Sequence, residues 1–180
     1  SAIGKMIIRK CRKLDIATIC IVRKSQQRET LERMGAEHVL LQDSKTFKED
    51  LGQLAGDLGA TILFDPVGGD LTTQVMSVMP PKSTISFMDN MSRKKITIDP
   101  LEIIFGQREI KAVNLSEWMK TQSEERIGQV IGEIAGDLAQ GGEIYGTEIY
   151  TSYSLDDYKL AFEQSSKTAS RGKTLSLIHI

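Results

Sequence analysis

Apolar runs begin near residues 17, 38, 60 and 83, some 21 to 23 residues apart, and a helical pattern of apolar positions fills each interval. That stride has room for one strand, one helix of about three turns and two short connections. Consecutive parallel strands need a crossover of that size, and the crossovers run right-handed with helices on both faces. The expected fold class is therefore α/β, a doubly wound parallel sheet.

The first helix, predicted at about 2–14, sets Ile3, Ile7, Cys11 and Leu14 on one face, with Lys5, Arg9, Arg12 and Lys13 opposite as a wet side. The strand at 17–22 is a continuous apolar run, as expected where both faces are covered. Ser25 is placed to cap a helix that runs to Met34 and stops at Gly35. The strand at 38–41 leads to a helix from about Ser44, striped by Phe47, Leu51, Leu54 and Leu58. The strand at 60–64 passes through Pro66, Val67, Gly68 and Gly69 into a helix capped by Asp70, with Leu71, Val75 and Val78 inward.

After a strand at 83–88 the stride breaks. Residues 89–95 read as a polar loop, 96–98 as a short strand, 100–105 as a short helix and 109–115 as the last strand of the sheet. A long helix at about 123–140 is expected to bury Ile127, Val130, Ile131, Ile134 and Leu138, with Gly141 and Gly142 as its stop. Residues 144–150 are strand-like, Ser154 to Asp157 form a capping-box pattern opening a helix with Tyr158 and Phe162 inward, and 172–178 alternate as a closing strand. These last strands have no evident partner, which points to a further domain.

Ser1, Ala2, Ile3 and Gly4 lead straight into the first helix, as half of a dinucleotide-binding turn would. Glycine there lets the backbone approach a pyrophosphate, and the free N–H groups of a helix start favour negative charge. Small residues at a helix start are also plain packing, the commoner reading of the motif alone. About 20 residues further on, such a site carries an acid for the ribose hydroxyls or an arginine for a 2′-phosphate. Arg23 and Lys24 stand there, with Arg28 one turn on, which favours NADP over NAD against the alternative of a solvated basic strand end. Ligands of open α/β sheets bind outside the carboxyl ends of the strands, so Arg23, the 67–69 turn and residues 87–90 should share one rim. Asp65 could serve as a general base, but is read as a backbone acceptor shaping the Pro66 turn.

With 40% hydrophobic and 26% charged residues the composition is that of an ordinary soluble globular protein. No apolar run approaches the ~20 residues of a membrane span, so no membrane insertion is expected. The net charge of −1 argues against a nucleic-acid partner, although residues 1–28 carry Lys5, Arg9, Lys10, Arg12, Lys13, Arg23, Lys24 and Arg28 against Asp15 alone. Cys11 and Cys20 read as small core residues of a reducing compartment, cytoplasm or mitochondrial matrix, and the compartment stays open. With only His38 and His179 beside them, no metal site is expected.

The order SAIGKM, GAEHVL, LFDPVGG, PLEIIF, LSEW and GKTLSL resembles the cofactor-binding half of the medium-chain dehydrogenases/reductases. Within them it is most similar to zinc-independent quinone oxidoreductases and mitochondrial trans-2-enoyl-thioester reductases, over essentially all 180 residues. The resemblance implies a Rossmann-like cofactor domain at 1–120, its first strand missing, and an extension at 121–180 returning toward an absent GroES-like barrel. It implies NADPH, a small-molecule substrate, and a homodimer formed through the strand at 109–115. No catalytic residue can be carried over, and the chain is not expected to act alone.

By that resemblance Ser1, Ala2, Ile3 and Gly4 match the pyrophosphate turn, and Arg23, Lys24 and Ser25 the segment that reads the 2′-phosphate. Phe87, Met88, Asp89 and Asn90 match the loop beside the nicotinamide, Val113, Asn114 and Leu115 another nicotinamide-side contact, Lys173 a basic residue near the phosphate, and Trp118 a substrate-side wall, with packing of the long helix onto the sheet as its alternative; Val67 and Gly68 join the cofactor positions through the shared rim. Relatives usually carry glycine after the aromatic residue, where Met88 and Asp89 stand here. The implied function is an NADPH-dependent oxidoreductase transferring hydride to a quinone or an α,β-unsaturated thioester or carbonyl. The alternative is a non-catalytic Rossmann module with a structural or interaction role.

Overall fold

The computed structural model describes residues 1–168 and 172–177. The chain divides into two compact units, residues 17–122 and residues 1–16 together with 123–180. Among the described residues no helix is long and apolar enough to cross a membrane.

The first unit is built from β1 (Ile19–Val22), α2 (Ser25–Arg33), β2 (His38–Leu41), α3 (Phe47–Asp57), β3 (Ile62–Asp65), α4 (Asp70–Val78), β4 (Thr84–Phe87), α5 (Pro100–Ile104), β5 (Glu109–Ala112) and α6 (Leu115–Thr121). The second holds α1 (Ala2–Lys13), α7 (Glu124–Ala139), β6 (Ile149–Ser154), α8 (Tyr158–Thr168) and β7 (Lys173–Leu177). α1, placed by sequence with the cofactor domain, thus groups with the C-terminal residues.

Among the described residues every strand pairing is parallel, as the stride predicts for the sheet of the first unit. The hydrogen bonding falls into three groups, β1-β2, β3-β4-β5 and β6-β7. In the first unit α3 and α4 supply the core: Phe47, Leu51, Val75 and Met79 are buried and pack against Ile19, Ile21, Leu40 and Leu63. One helical layer therefore spans both strand groups, although β1 and β3 do not pair. Ile85 of β4 is fully buried, while on β3 Ile62 and Phe64 remain exposed.

Several boundaries differ from the sequence reading. Residues 96–98 are not a strand; the Thr73 hydroxyl of α4 donates to the Thr97 carbonyl at 2.8 Å. β5 stops at Ala112, because the Asn114 side chain accepts from the Glu117 amide and opens α6. The strand expected at 144–150 begins only at Ile149, and instead of lacking partners β6 and β7 pair with each other. Ile178 of the closing strand and His179 lie outside the described residues.

The second unit also corrects the amphipathic readings. On α1 the buried residues are Lys5 and Ile8, whereas Ile3 and Leu14 are exposed. Lys5 donates to Glu148 at 3.1 Å, and Arg9 donates to the carbonyls of Glu143, Ile144 and Gly146 at 3.2, 3.0 and 2.9 Å. Periodicity marks such cations as wet, but partners some 140 residues away make them part of the packing. Lys10 and the Tyr145 hydroxyl both bind the Glu133 carboxylate, and those hydrogen bonds, Lys10's first, hold its pKa below the usual range. Ile131 and Leu138 on α7 and Tyr158 and Phe162 on α8 are exposed rather than inward. Ser154 bonds Asp157 at 2.8 Å through its side chain, and one 3-10 turn at Leu155–Asp157 precedes α8.

Candidate functional site

β3 ends in a carboxylate that faces inward. Asp65 is buried, and its Oδ1 accepts from the Val67 and Gly68 amides at 2.7 and 3.0 Å, while Oδ2 accepts the Thr72 hydroxyl. All three donors belong to the turn into α4, so Asp65 is the backbone acceptor anticipated from sequence. Gly68 and Gly69 follow with φ of 72° and 74°, a region open to glycine at no steric cost.

The loop after β4 is laced onto that turn. The Met91 amide donates to the Pro66 carbonyl at 3.1 Å and the Ser92 amide to Val67 at 2.9 Å. Ser92 Oγ donates to Asn90 Oδ1 at 3.1 Å, and Asn90 Nδ2 to the Lys94 carbonyl at 3.3 Å. A Cβ on Gly68 would lie 2.6 Å from Asn90 Oδ1, so only glycine lets the two loops approach this closely. Gly68→Ala is expected to cost about 2 kcal/mol through its backbone conformation and displacement of Asn90. Urea unfolding reads this against Gly56→Ala, a site in the last turn of α3 with no neighbour within 4 Å that should be neutral or stabilised.

These loops wall an open cleft of about 640 Å³ lined by Gly68, Phe87, Met88, Asp89, Asn90, Ile96, Ala112, Val113, Asn114 and Leu115. It sits where β4 and β5 end. Of the residues singled out by sequence, Gly68, Phe87, Met88, Asn90, Asn114 and Leu115 are brought together here. Val67 is adjacent in the turn but not in the lining. Trp118 is half-buried on α6, outside the lining, its amide bound to the Asn114 carbonyl at 2.9 Å. Ile96 and Ser92 were not anticipated as site residues. The short-strand reading hid the first, and the second shows only through turn chemistry, in which short polar side chains bond nearby backbone.

At the end of β1 the Gln27 side chain accepts from the Arg23 and Lys24 amides, both at 3.1 Å. Gln27, not Ser25, closes the start of α2. The Arg23 and Lys24 side chains are exposed and have no partner among the described residues, whereas Arg28 is paired with Glu32 at 2.9 Å. The strand end thus presents two uncommitted cations.

In the second unit Ser1 caps α1, its Oγ accepting from the Gly4 amide at 3.1 Å. The Lys173 amide donates to the Glu148 carbonyl at 2.8 Å, and the Glu148 carboxylate accepts from Lys5 at 3.1 Å, which sets Lys173 near the first turn of α1. Among the described residues no group of three or more His, Cys, Asp and Glu side chains could hold a metal ion.

Residues 2–135 match the family described as zinc-binding dehydrogenase. The chain is 27% identical over 155 residues to the mitochondrial enoyl-[acyl-carrier-protein] reductase of Arabidopsis thaliana, a match that takes in 83% of this chain and 41% of that protein. It is 23% identical over 177 residues to the Bos taurus enzyme of the same name, covering 93% and 45%. The chain spans less than half the length of these relatives. Among solved structures, a protein assigned as an NADPH:quinone reductase from Mesorhizobium loti matches with a TM-score of 0.84 at 24% identity, over 97% of this chain and 49% of that one. A mitochondrial 2-enoyl thioester reductase heterodimer from Candida tropicalis matches with a TM-score of 0.78 at 20% identity, over 99% and 51%. At these identities the structures show the fold alone, an α/β Rossmann-like half.

Proposed function

Because the chain belongs to the zinc-binding dehydrogenase family, we propose that it is the cofactor-holding half of an NADPH-dependent reductase of quinones or of α,β-unsaturated thioesters or carbonyls. One observation carries the reading: Gly68, residues 87–90 and residues 112–115 converge on one cleft at the carboxyl ends of parallel strands. Its size is that of a small-molecule site, and its lining is largely apolar, from Phe87, Met88, Ile96, Val113 and Leu115, with a few polar groups. Such a lining suits a planar ring bearing an amide, and the missing Cβ at Gly68 keeps the two loops close beneath it.

In this reading Gly68, Val67, Phe87, Met88, Asn90, Asn114 and Leu115 hold the nicotinamide end and exclude water. Ser1, Ala2, Ile3 and Gly4, with Lys173, bind pyrophosphate through amides and charge. Arg23, Lys24 and Ser25 bind the 2′-phosphate, the two cations through side chains because Gln27 already takes their amides. Bound NADPH supplies the hydride; the protein supplies orientation and a dry cleft. Trp118 forms a substrate-side wall.

The remainder of the active protein is also proposed. An N-terminal barrel domain covers the apolar residues that the second unit leaves exposed on β6 and α8, among them Ile149, Tyr150, Leu160 and Phe162. A further parallel strand joins β1 to β3, which share one helical layer without pairing. Two copies associate through the strand region 109–115. Cofactor binding would then belong to a domain of 1–120 and barrel docking to 121–180.

Calorimetric titration with NADPH and NADH tests the reading. NADPH is expected to bind the more tightly, and Arg23→Ala to weaken NADPH about tenfold while leaving NADH unchanged, since a phosphate contact is worth on the order of 1–2 kcal/mol. Equal binding of both dinucleotides would remove the 2′-phosphate assignment. Binding of neither would favour the non-catalytic module, a reading to which Met88 and Asp89 lend weight by carrying side chains in the cleft lining.

A further inference from the structure

Asp89 is the one ionisable side chain in the cleft lining. Only Asn90 and Asn114 are otherwise polar there, and both spend their side-chain oxygens locally, on the Ser92 hydroxyl and on the Glu117 amide. The backbone on either side of Asp89 is pinned: the Met88 amide donates to the Asp65 carbonyl at 2.9 Å and the Met91 amide to the Pro66 carbonyl at 3.1 Å. Asp89 Oδ1 accepts from the Asn90 amide at 2.7 Å, and among the described residues Oδ2 has no partner. Nor does any described cation pair with this carboxylate. Lys94 in the following loop leans on Asp70 at 3.7 Å and Lys111 on Glu109 at 2.7 Å, and neither Arg93 nor Lys95 reaches it.

A carboxylate held in a largely apolar wall distinguishes ligands by charge. Apolar walls hold little water and weaken screening, so a positive group in the cleft is favoured over a neutral one of the same shape. The two redox forms of a nicotinamide dinucleotide are such a pair. Both carry the same phosphates and the same carboxamide, so contacts to Arg23, to the glycine turn and to any amide donor cancel when the forms are compared. What remains is one positive charge on the ring, present only in the oxidised form.

We propose that Asp89 biases the cleft toward the oxidised, positively charged nicotinamide ring, so that the site holds NADP⁺ more tightly than an uncharged residue at this position would allow. This role rests on the cofactor reading above and adds to it the balance between the redox forms, set by one side chain. Binding and redox equilibria are linked: a site that favours the oxidised form by a given factor makes the bound reduced form a stronger hydride donor by the same factor. Asp89 thus pushes the bound pair toward delivering hydride and delays release of the spent cofactor. Its exposure to solvent limits the effect to about fivefold, the upper end of what exposed charge pairs supply.

Calorimetric titration of the 180-residue chain with NADP⁺ and with NADPH tests this, with far-ultraviolet circular dichroism confirming the fold of each variant. The ratio of the two dissociation constants is the readout. Asp89→Asn keeps an acceptor for the Asn90 amide but removes the charge, and is expected to shift the ratio about fivefold toward NADPH. Asp89→Glu keeps the wild-type ratio. So does Asp57→Asn, at the end of α3 just before β3 begins and therefore at the sheet edge opposite the cleft. A ratio unmoved by Asp89→Asn, or moved as far by Asp89→Glu or Asp57→Asn, overturns the proposal while the cofactor reading stands. Binding of neither dinucleotide to the wild type overturns the cofactor reading and this role with it. Should Asp89→Asn misfold, the wild type decides alone: added salt screens an exposed carboxylate, so the preference for NADP⁺ falls, and a ratio independent of salt overturns the proposal.

Discussion

Asp65→Ala is expected to lower the unfolding free energy by about 3 kcal/mol, because three donors lose a charged acceptor in a buried turn and two of them, the Gly68 amide and the Thr72 hydroxyl, have no water to turn to. Asp65→Asn keeps one carbonyl oxygen and should lose roughly half as much. Urea unfolding measures both, with the midpoint falling and the slope unchanged. The damage also reaches the cleft. Met91 and Ser92 hang from the Pro66 and Val67 carbonyls, so their amides should exchange with solvent faster in Asp65→Ala than amides of α2, which share no bond with this turn. A loss below about 1 kcal/mol would mean that water replaces the carboxylate and that the turn holds itself.

Arg108→Leu is expected to cost about 3 kcal/mol for a different reason. The guanidinium is almost fully buried; Nη1 donates to the Glu102 carbonyl and carboxylate, and Nη2 to the Met79 carbonyl at 2.7 Å. It thereby ties the end of α4 and the whole of α5 to the start of β5. Gly106 makes room for it, since a Cβ there would collide with the guanidinium and with the Glu102 carbonyl. Leucine fills most of the volume but strands the Glu102 carboxylate. The double variant Arg108→Leu/Glu102→Leu should therefore be more stable than Arg108→Leu alone, a recovery that a loss of packing would not produce. The Arg108 Nε has no partner, so the native ion pair already carries an unmet donor and its net contribution is smaller than the cost of breaking it. Equal or lower stability of the double variant would assign the effect to shape.

Much of this architecture was legible in the residues. The stride of apolar runs is a local signal repeated four times, and the parallel pairing that it predicts is what β1 to β5 adopt. The Pro66-Val67-Gly68-Gly69 turn and its acceptor Asp65 were readable because turn chemistry acts within a few residues. Readings failed where the deciding partner was distant. Lys5 and Arg9 have the spacing of a solvated face, yet Glu148 and the carbonyls near Gly146 draw them into the packing. Residues 96–98 have strand composition but pair with no strand among the described residues.

The cleft divides in the same way. Phe87, Met88, Asn90, Asn114 and Leu115 were identified through motif order, whereas Ile96 joined the lining through the path of a loop that carries no periodic pattern. By itself the sequence determined the α/β alternation, the glycine turn after β3 and the two cations at the end of β1, because each depends on short-range sterics or on charge at a fixed spacing. Only the tertiary structure decided which cations are buried and where β5 ends. Those outcomes depend on hydrogen-bond partners far along the chain, and no local pattern encodes which of them a given group will find.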